Sequence, residues 1–451
     1  MKVTVIIPVW NGRAYLSDCL DSLVTQDYPD FEIIAVDYAT RDGSVEFVTE
    51  NYPSVRLICN RENLGFIGAC NKGLQVGEGE VLILLNQDTL VKEGWLTGLV
   101  NAFSVNADAG IVGCKARYPD GRLQHAGGYV DIRGNSFHYG RGEIDVGQFD
   151  ERREVDFVTG AGLAISRTAF ESVGGLDEGY ALGYYEDIDW CYRVSRAGFQ
   201  VLYEPTAVMV HKEASLLTTF DDHRRVYLPH RNRLRFVFKH TSLTELREAF
   251  LPAERTWLRG LGEGEEYLVS VMHRIFLYYL LNLRDLLEAR RPWFESVPDE
   301  ADTLADILLT LRTVIPLKPA GLGMDETVSS SMDTSGTDVS TEADKSLSNL
   351  RASGILDEPE FHSEAPLIGD LISSFREQWN SVSTKWYVRA LIQQQMEFNA
   401  QVVTMFEHLC DSDRRLASVF AEYIREDGRE IVELSRRLQD LYQLLEENPE
   451  P

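Results

Sequence analysis

The sequence predicts an α/β protein in which a parallel sheet carries helices on both faces, with an all-helical continuation toward the C-terminus. Three observations predict it. Apolar, β-branched runs alternate with segments of helical periodicity between residues 3 and 85, the links between them are short, and the runs end in polar or acidic residues. Strands and helices that alternate over short links build parallel sheets with helices on both faces.

The first strand is Val3–Val9, closed by a turn at Asn11 and Gly12, and Leu16, Leu20 and Leu23 mark the helix after it. Residues 31–36 form a second strand ending at Asp37, Ser44–Asn51 is helical, and residues 55–59 form a third strand. A helix over residues 68–76 precedes Val81–Leu85, a strongly apolar strand that stops at Asn86, Gln87 and Asp88. From residue 110 to 160 the pattern changes to short strands with many glycines, and residues 155–165 read as a central strand. The acid-rich run 184–193 opens a helix, and residues 201–210 form a strand ending at His211.

Helical periodicity resumes over residues 243–311. The expected organisation is therefore an α/β domain at 1–242, a helical extension at 243–317, a linker at 318–366 and a helical module at 367–447. The linker is assigned from its Ser, Thr, Asp and Gly with few large apolar residues, a composition that cannot build a core. In the last module, Leu391, Phe398, Val402, Met405, Leu409 and Leu416 form one seam, and Ile431, Leu434, Leu438, Leu441 and Leu445 form another beyond Gly428. Such seams suit a helical hairpin, a short coiled coil or a small bundle. They offer a route to self-association or to a partner enzyme of the same pathway.

The 451 residues carry a net charge of −27, which argues against nucleic acid and against wholesale adsorption to anionic membranes. The six cysteines show no CxxC pair or zinc-like spacing, as expected of free thiols in a reducing compartment. No stretch reaches the ~18 apolar residues of a membrane span; residues 275–283 are a core or amphipathic helix instead. The expected location is cytoplasmic, with peripheral contact at the inner face of the membrane.

Ligands of parallel sheets bind at the carboxyl ends of the strands, so the polar residues there are the candidates. Asp37 can accept hydrogen bonds from a ribose or a nucleobase, or cap the helix that follows. Asp88 can hold Mg²⁺ or Mn²⁺ against a diphosphate, although Asp88 or Thr89 as a helix cap is the simpler alternative. Glu186, Asp187 and Asp189 begin a helix whose dipole favours acids, and Tyr184 and Tyr185 beside them can wall a sugar and raise a carboxylate's basicity. His211 can complete a metal site with Asp88. No GxxxxGK[ST] loop and no GxGxxG after the first strand are present, which disfavours P-loop NTPases and dinucleotide enzymes.

In order, IIPVWNG, VDYATRDGS, NRENLGFIGACNKGL, LLNQDT, GAGLAISRTAFESVGGLDE and YYEDIDWCYR resemble the successive motifs of glycosyltransferase family 2. They are similar to its bacterial branch of rhamnosyltransferase-like, surface-polysaccharide enzymes, over about residues 1–240. The resemblance implies a GT-A fold (a Rossmann-like mixed sheet), a UDP-, dTDP- or GDP-linked sugar donor, a divalent metal (Mn²⁺ or Mg²⁺), a glycan or lipid-linked acceptor, and inversion at the anomeric carbon. It puts Asp37 on the nucleobase near Pro8 and Trp10, with Asn63, Gly65 and Phe66 shaping the nucleotide pocket. Asn86 and Asp88 stand at the two ends of the family's DxD motif, Asp88 and His211 bind the metal, Asp187 is the catalytic base and Glu186 contacts substrate. Tyr38 departs from the usual Asn or Asp, Asn86 from the first Asp of DxD, and Lys212 from a glycine after the histidine.

Two rivals have weaker support: a non-catalytic scaffold that uses a degenerate transferase domain, and a sugar nucleotidyltransferase, whose Gly- and Lys-rich phosphate loop is not found in PVWNGRAYL. Arg224, Arg225, Arg231, Arg233, Arg235 and Lys239 form a basic cluster in an acidic chain. It is either a phosphate-binding surface, helped to a membrane by Trp257, Phe276, Tyr278 and Tyr279, or a set of ordinary ion pairs.

Overall fold

The computed structural model describes residues 1–314 except 61, 181, 214–221, 262–263 and 298–299, and all of these fall in the unit Met1–Ala320. The expected linker at 318–366 and module at 367–447 lie outside the described residues.

Strands β1 (Val3–Val9), β2 (Phe31–Tyr38), β3 (Arg56–Asn60) and β4 (Val81–Leu85) run parallel, joined by helices α1 (Leu16–Val24), α2 (Ser44–Asn51) and α3 (Gly65–Val76). Then come β5 (Thr89–Val91), α4 (Trp95–Val105), β6 (Ala109–Arg117), β7 (Leu123–His125), β8 (Gly128–Val130), β9 (Ser136–His138) and β10 (Arg153–Glu154). Strand β11 (Gly162–Ser166), helices α5 (Arg167–Val173) and α6 (Glu186–Arg196), and strand β12 (Gln200–His211) complete the sheet. Its order is β10-β12-β6-β11-β4-β1-β2-β3. Strand β11 lies antiparallel to both β4 and β6, so the sheet is mixed and not wholly parallel.

Both faces of the central strands are buried, which is why they read as continuous apolar runs. Ile6, Ile34, Val36, Leu82 and Leu84 face one core. Val5, Ile7, Ala35, Ile83 and Leu85, at the alternate positions, face the other. The first core extends into α7 (Asp222–His240), α8 (Leu243–Glu245), α9 (Leu251–Gly260), α10 (Glu266–Leu281), α11 (Leu283–Arg290) and α12 (Glu300–Val314) through Phe236, Phe250, Met272, Ile275 and Leu308.

Most expected elements lie within a few residues of the observed ones, with one clear correction. The central strand begins only at Gly162, because the N–H groups of Thr159 and Gly160 go to the His125 ring and the Asp187 carboxylate instead of a sheet neighbour. Among the described residues no helix is long and apolar enough to cross a membrane. Phe276 and Tyr279 are buried, and the Tyr279 hydroxyl donates to the Arg231 carbonyl at 2.6 Å, so neither is available to a membrane surface.

Candidate active site

The strand ends of β1 and β2 build one side of the site. Asp37 is 3% exposed; its carboxylate accepts the Thr40 N–H at 3.0 Å and the Ala39 N–H at 3.3 Å, and burial raises its pKa. It therefore shapes its own turn, in which Ala39 has a left-handed φ of 68°, while Asp42 accepts the Ser44 N–H at the start of α2. Val9 sits opposite Asp37 in register, and Trp10 stacks on the buried Tyr38 with centroids 6.2 Å apart. The aromatic at position 38 thus forms the floor under Trp10. Pro8 is buried, Phe66 is half-buried, and exposed Asn63 accepts the Gly65 N–H at 2.8 Å at the start of α3.

The turn after β4 is clamped to that side. Gln87 accepts the Trp10 N–H and donates to the Trp10 carbonyl, both at 3.0 Å, as a paired strand would. A Cβ on Gly12 would come within 2.1 Å of the Gln87 amide oxygen, so only glycine fits beneath this clamp. Asp88 leads into β5 and not into a helix, so Asp88 and Thr89 are not helix caps. Strand β5 pairs antiparallel with β12 and sets His211 opposite Thr89. This brings His211 Nε2 to 3.3 Å from Asp88 Oδ1, both residues being buried. Gln124 Oε1 meets His211 Nδ1 at 2.9 Å, and Asn86 Oδ1 is buried with no hydrogen-bond partner among the described residues.

The acids of α6 occupy a third edge. Residues Leu182, Tyr184 and Tyr185 precede or begin it with φ of 71–72°, a costly conformation for side chains of this size. Buried Asn232 of α7 holds this segment by donating to the carbonyls of Gly183 and Tyr184 at 2.8 and 2.9 Å. Burial and the neighbouring Asp187 push Glu186 up to about 8, and its Oε2 has no hydrogen-bond partner among the described residues. Asp187 accepts N–H groups from Gly160 at 2.7 Å and Ile188 at 2.8 Å; desolvation still raises its pKa.

Three consecutive residues tie these edges together. Thr159 N–H donates to His125 Nε2 at 3.2 Å, Gly160 N–H to Asp187, and the Ala161 carbonyl accepts the Asn86 N–H at 3.0 Å. The turn bearing Asp88 and the carboxylate of Asp187 are therefore separated by a single peptide linkage. A side chain on residue 160 would crowd Asp187 Cβ at 3.2 Å. Sequence reasoning does not single out Gln87, Gln124, His125, Gly160 or Asn232, and the structure adds all five to the site.

Three of the six residues of the basic cluster are corrected. Arg233 is 2% exposed and pairs with Glu254, Arg235 with Asp177 and Asp285, and Lys239 with Asp177 and Asp189. These three are ion-paired inside the fold and offer no phosphate-binding surface.

The strand ends of this mixed α/β sheet thus gather a carboxylate–imidazole pair, a stacked pair of aromatic rings and two adjacent acids. Residues 4–174 match the family model described as Glycosyl transferase family 2, and this stretch of the chain is similar to that family. An uncharacterized protein of Sinorhizobium fredii is 31% identical over 231 residues, covering 47% of this chain and 24% of that protein. The O-antigen biosynthesis protein RfbC of Myxococcus xanthus is 29% identical over 224 residues, covering 48% and 17%. An N-acetylglucosaminyl-diphospho-decaprenol L-rhamnosyltransferase of Mycobacterium tuberculosis is 29% identical over 239 residues, covering 47% and 78%. The chain thus spans less than a quarter of the length of the first two relatives.

Proposed function

We propose that this domain transfers a sugar, with inversion, from a nucleoside diphosphate sugar to an acceptor hydroxyl in the assembly of a surface polysaccharide. The observation that carries the reading is the Thr159–Gly160–Ala161 segment, which joins the Asp88 turn to Asp187. A candidate diphosphate site and a candidate base are held to neighbouring residues of one backbone stretch, which supports their acting on one bound donor.

Asp37, Trp10 and Pro8 take the nucleoside, with Asn63, Gly65 and Phe66 beside it. Asp88 and His211 fit a divalent cation, one oxygen and one imidazole nitrogen 3.3 Å apart. Among the described residues no group of three or more His, Cys, Asp or Glu is placed to enclose a metal, so Asp88 and His211 would be the protein's share of such a site. Bound there, Mn²⁺ or Mg²⁺ offsets charge on the departing diphosphate. Asn86, two residues before Asp88, has a buried amide oxygen with no hydrogen-bond partner among the described residues and is a further candidate contact. Asp187, its basicity raised by burial, takes the proton of the attacking hydroxyl, and Glu186 is neutral at pH 7 and donates to a substrate oxygen. The similarity to a rhamnosyltransferase acting on a diphospho-decaprenol sugar favours a deoxyhexose donor and a lipid-linked acceptor.

The test is a thermal-shift screen of UDP-, dTDP- and GDP-sugars with Mn²⁺, followed by transfer assays with the donor that stabilises. Chelator is expected to stop transfer, Mn²⁺ or Mg²⁺ to restore it, and Asp88→Ala to weaken donor binding. Full turnover in chelator removes the metal role of Asp88 and His211; no stabilisation by any donor refutes the transferase reading.

A further inference from the structure

Strand β7 contains one residue too many. Leu123 pairs with Arg117 and His125 with Ala116, so Gln124 is the extra residue of a bulge in the β6–β7 ladder. Bulges re-aim side chains and are over-represented beside active sites. This one sends two consecutive, buried side chains to the two ends of the candidate site.

Gln124 serves the Asp88 end. Its Nε2 lies toward Glu213 Oε2 at 3.5 Å, which leaves Oε1 for His211 Nδ1 at 2.9 Å. An amide oxygen only accepts, so His211 carries a proton on Nδ1, which leaves Nε2, 3.3 Å from Asp88 Oδ1, as the nitrogen available to a cation. His125 serves the Asp187 end. Because its Nε2 accepts the Thr159 N–H, its proton sits on Nδ1 and is donated to His138 Nδ1 at 2.7 Å. Burial keeps both rings neutral, holding His138 down to about 4, so the lone pair facing Thr159 persists at physiological pH. The next N–H along the chain, from Gly160, holds Asp187.

We propose that Gln124 and His125 are a pair of positioning residues, Gln124 fixing the tautomer of His211 for cation binding and His125 fixing the backbone turn that orients Asp187. The proposal rests on the transferase reading for the roles of those two ends. Neither side chain touches a reacting atom. Each acts through one partner, and the bulge lets one dipeptide reach both.

The two arms have separable readouts in the full chain. Gln124→Leu is expected to weaken Mn²⁺ binding to the nucleotide-loaded protein, by electron paramagnetic resonance titration, by about 10- to 100-fold, the usual cost of losing a partner behind a metal ligand. At saturating Mn²⁺ its kcat is largely retained. His125→Phe is expected to leave Mn²⁺ binding and donor KM in place while lowering kcat roughly 10-fold, the signature of an interaction lost in the transition state. His125→Gln, which can again accept from Thr159, restores most of that loss. Variants that change the same parameter together, or a His125→Gln no better than His125→Phe, overturn the proposal. Nitrogen NMR of the wild-type chain decides the geometry without turnover: a protonated Nδ1 on both His211 and His125 is expected, and a bare Nδ1 on either one overturns it. A wild-type chain that binds neither nucleotide nor Mn²⁺ contradicts the transferase reading instead, and the tautomers still judge the positioning.

Discussion

Asp187 and Asp189 lie two residues apart on one helix and belong to opposite kinds of environment. Asp189 is fully buried and contacts Arg193 at 2.8 Å, Lys239 at 2.7 Å, His240 at 2.8 Å and the Tyr180 hydroxyl at 3.2 Å. Those partners hold its pKa well below the ordinary carboxylate range. Glu186 and Asp187, on the neighbouring edge, are raised, and the hydrogen bonds that lower them again come from backbone N–H groups and not from cations. A carboxylate surrounded by cations is a poor base and a strong structural tie. One that is desolvated without such cations is basic, and that is the property proton abstraction uses.

The difference between the two acids shows most clearly in stability. Asp189→Asn is expected to cost about 3–5 kcal/mol, because it leaves Arg193 buried without its carboxylate and removes the shared partner of Lys239 and His240. Urea denaturation reads the loss, and specific activity of the remaining folded protein should change far less. A loss under about 1 kcal/mol would mean that the network around α6 is not a structural tie.

A second variant extends the contrast to α7. Arg233→Met should destabilise by about 3 kcal/mol, toward the lower end for a broken buried pair, since Arg133 still contacts Glu254 at 2.9 Å. Acceptor KM should stay constant in the protein that folds. A raised KM for a pyrophosphate-lipid acceptor with unchanged stability would restore the phosphate-binding reading of the cluster.

The third contrast concerns the pH dependence that Glu186 adds. Its carboxyl ionises near 4.5 in the unfolded chain but only near 8 when folded, so the native state holds the extra proton between those values. Stability therefore falls as pH rises through that window and levels off above it. Glu186→Gln should have a higher Tm than wild type at pH 9 and a similar one at pH 5. Equal melting at both pH values would show that Glu186 is charged in the folded protein.

The acids at strand ends were legible because an apolar strand that stops at Asp37 or Asp88 marks the carboxyl edge of a sheet. The residues that support them were not, since each acts on a distant partner: Gln87 on Trp10 across 77 positions, Gln124 on His211 across 87, His125 on Thr159 across 34. Antiparallel β11 was misread for a related reason. Its upstream residues are as apolar as a strand, but their backbone groups bond His125 and Asp187. The basic run in α7 misled because its acids, Asp177, Glu254 and Asp285, are 58, 21 and 50 positions away.

The central claim is that the desolvated acid beside Gly160, and not its ion-paired neighbour, performs the chemistry. The measurement is Asp187→Asn assayed for transfer, donor affinity and urea stability in parallel, using the donor found by thermal shift. The account predicts a kcat lower by roughly 10²- to 10⁴-fold, the range of a lost general base, with donor Kd and stability close to wild type. A near-normal kcat, or a collapse of stability like that expected for Asp189→Asn, would contradict it.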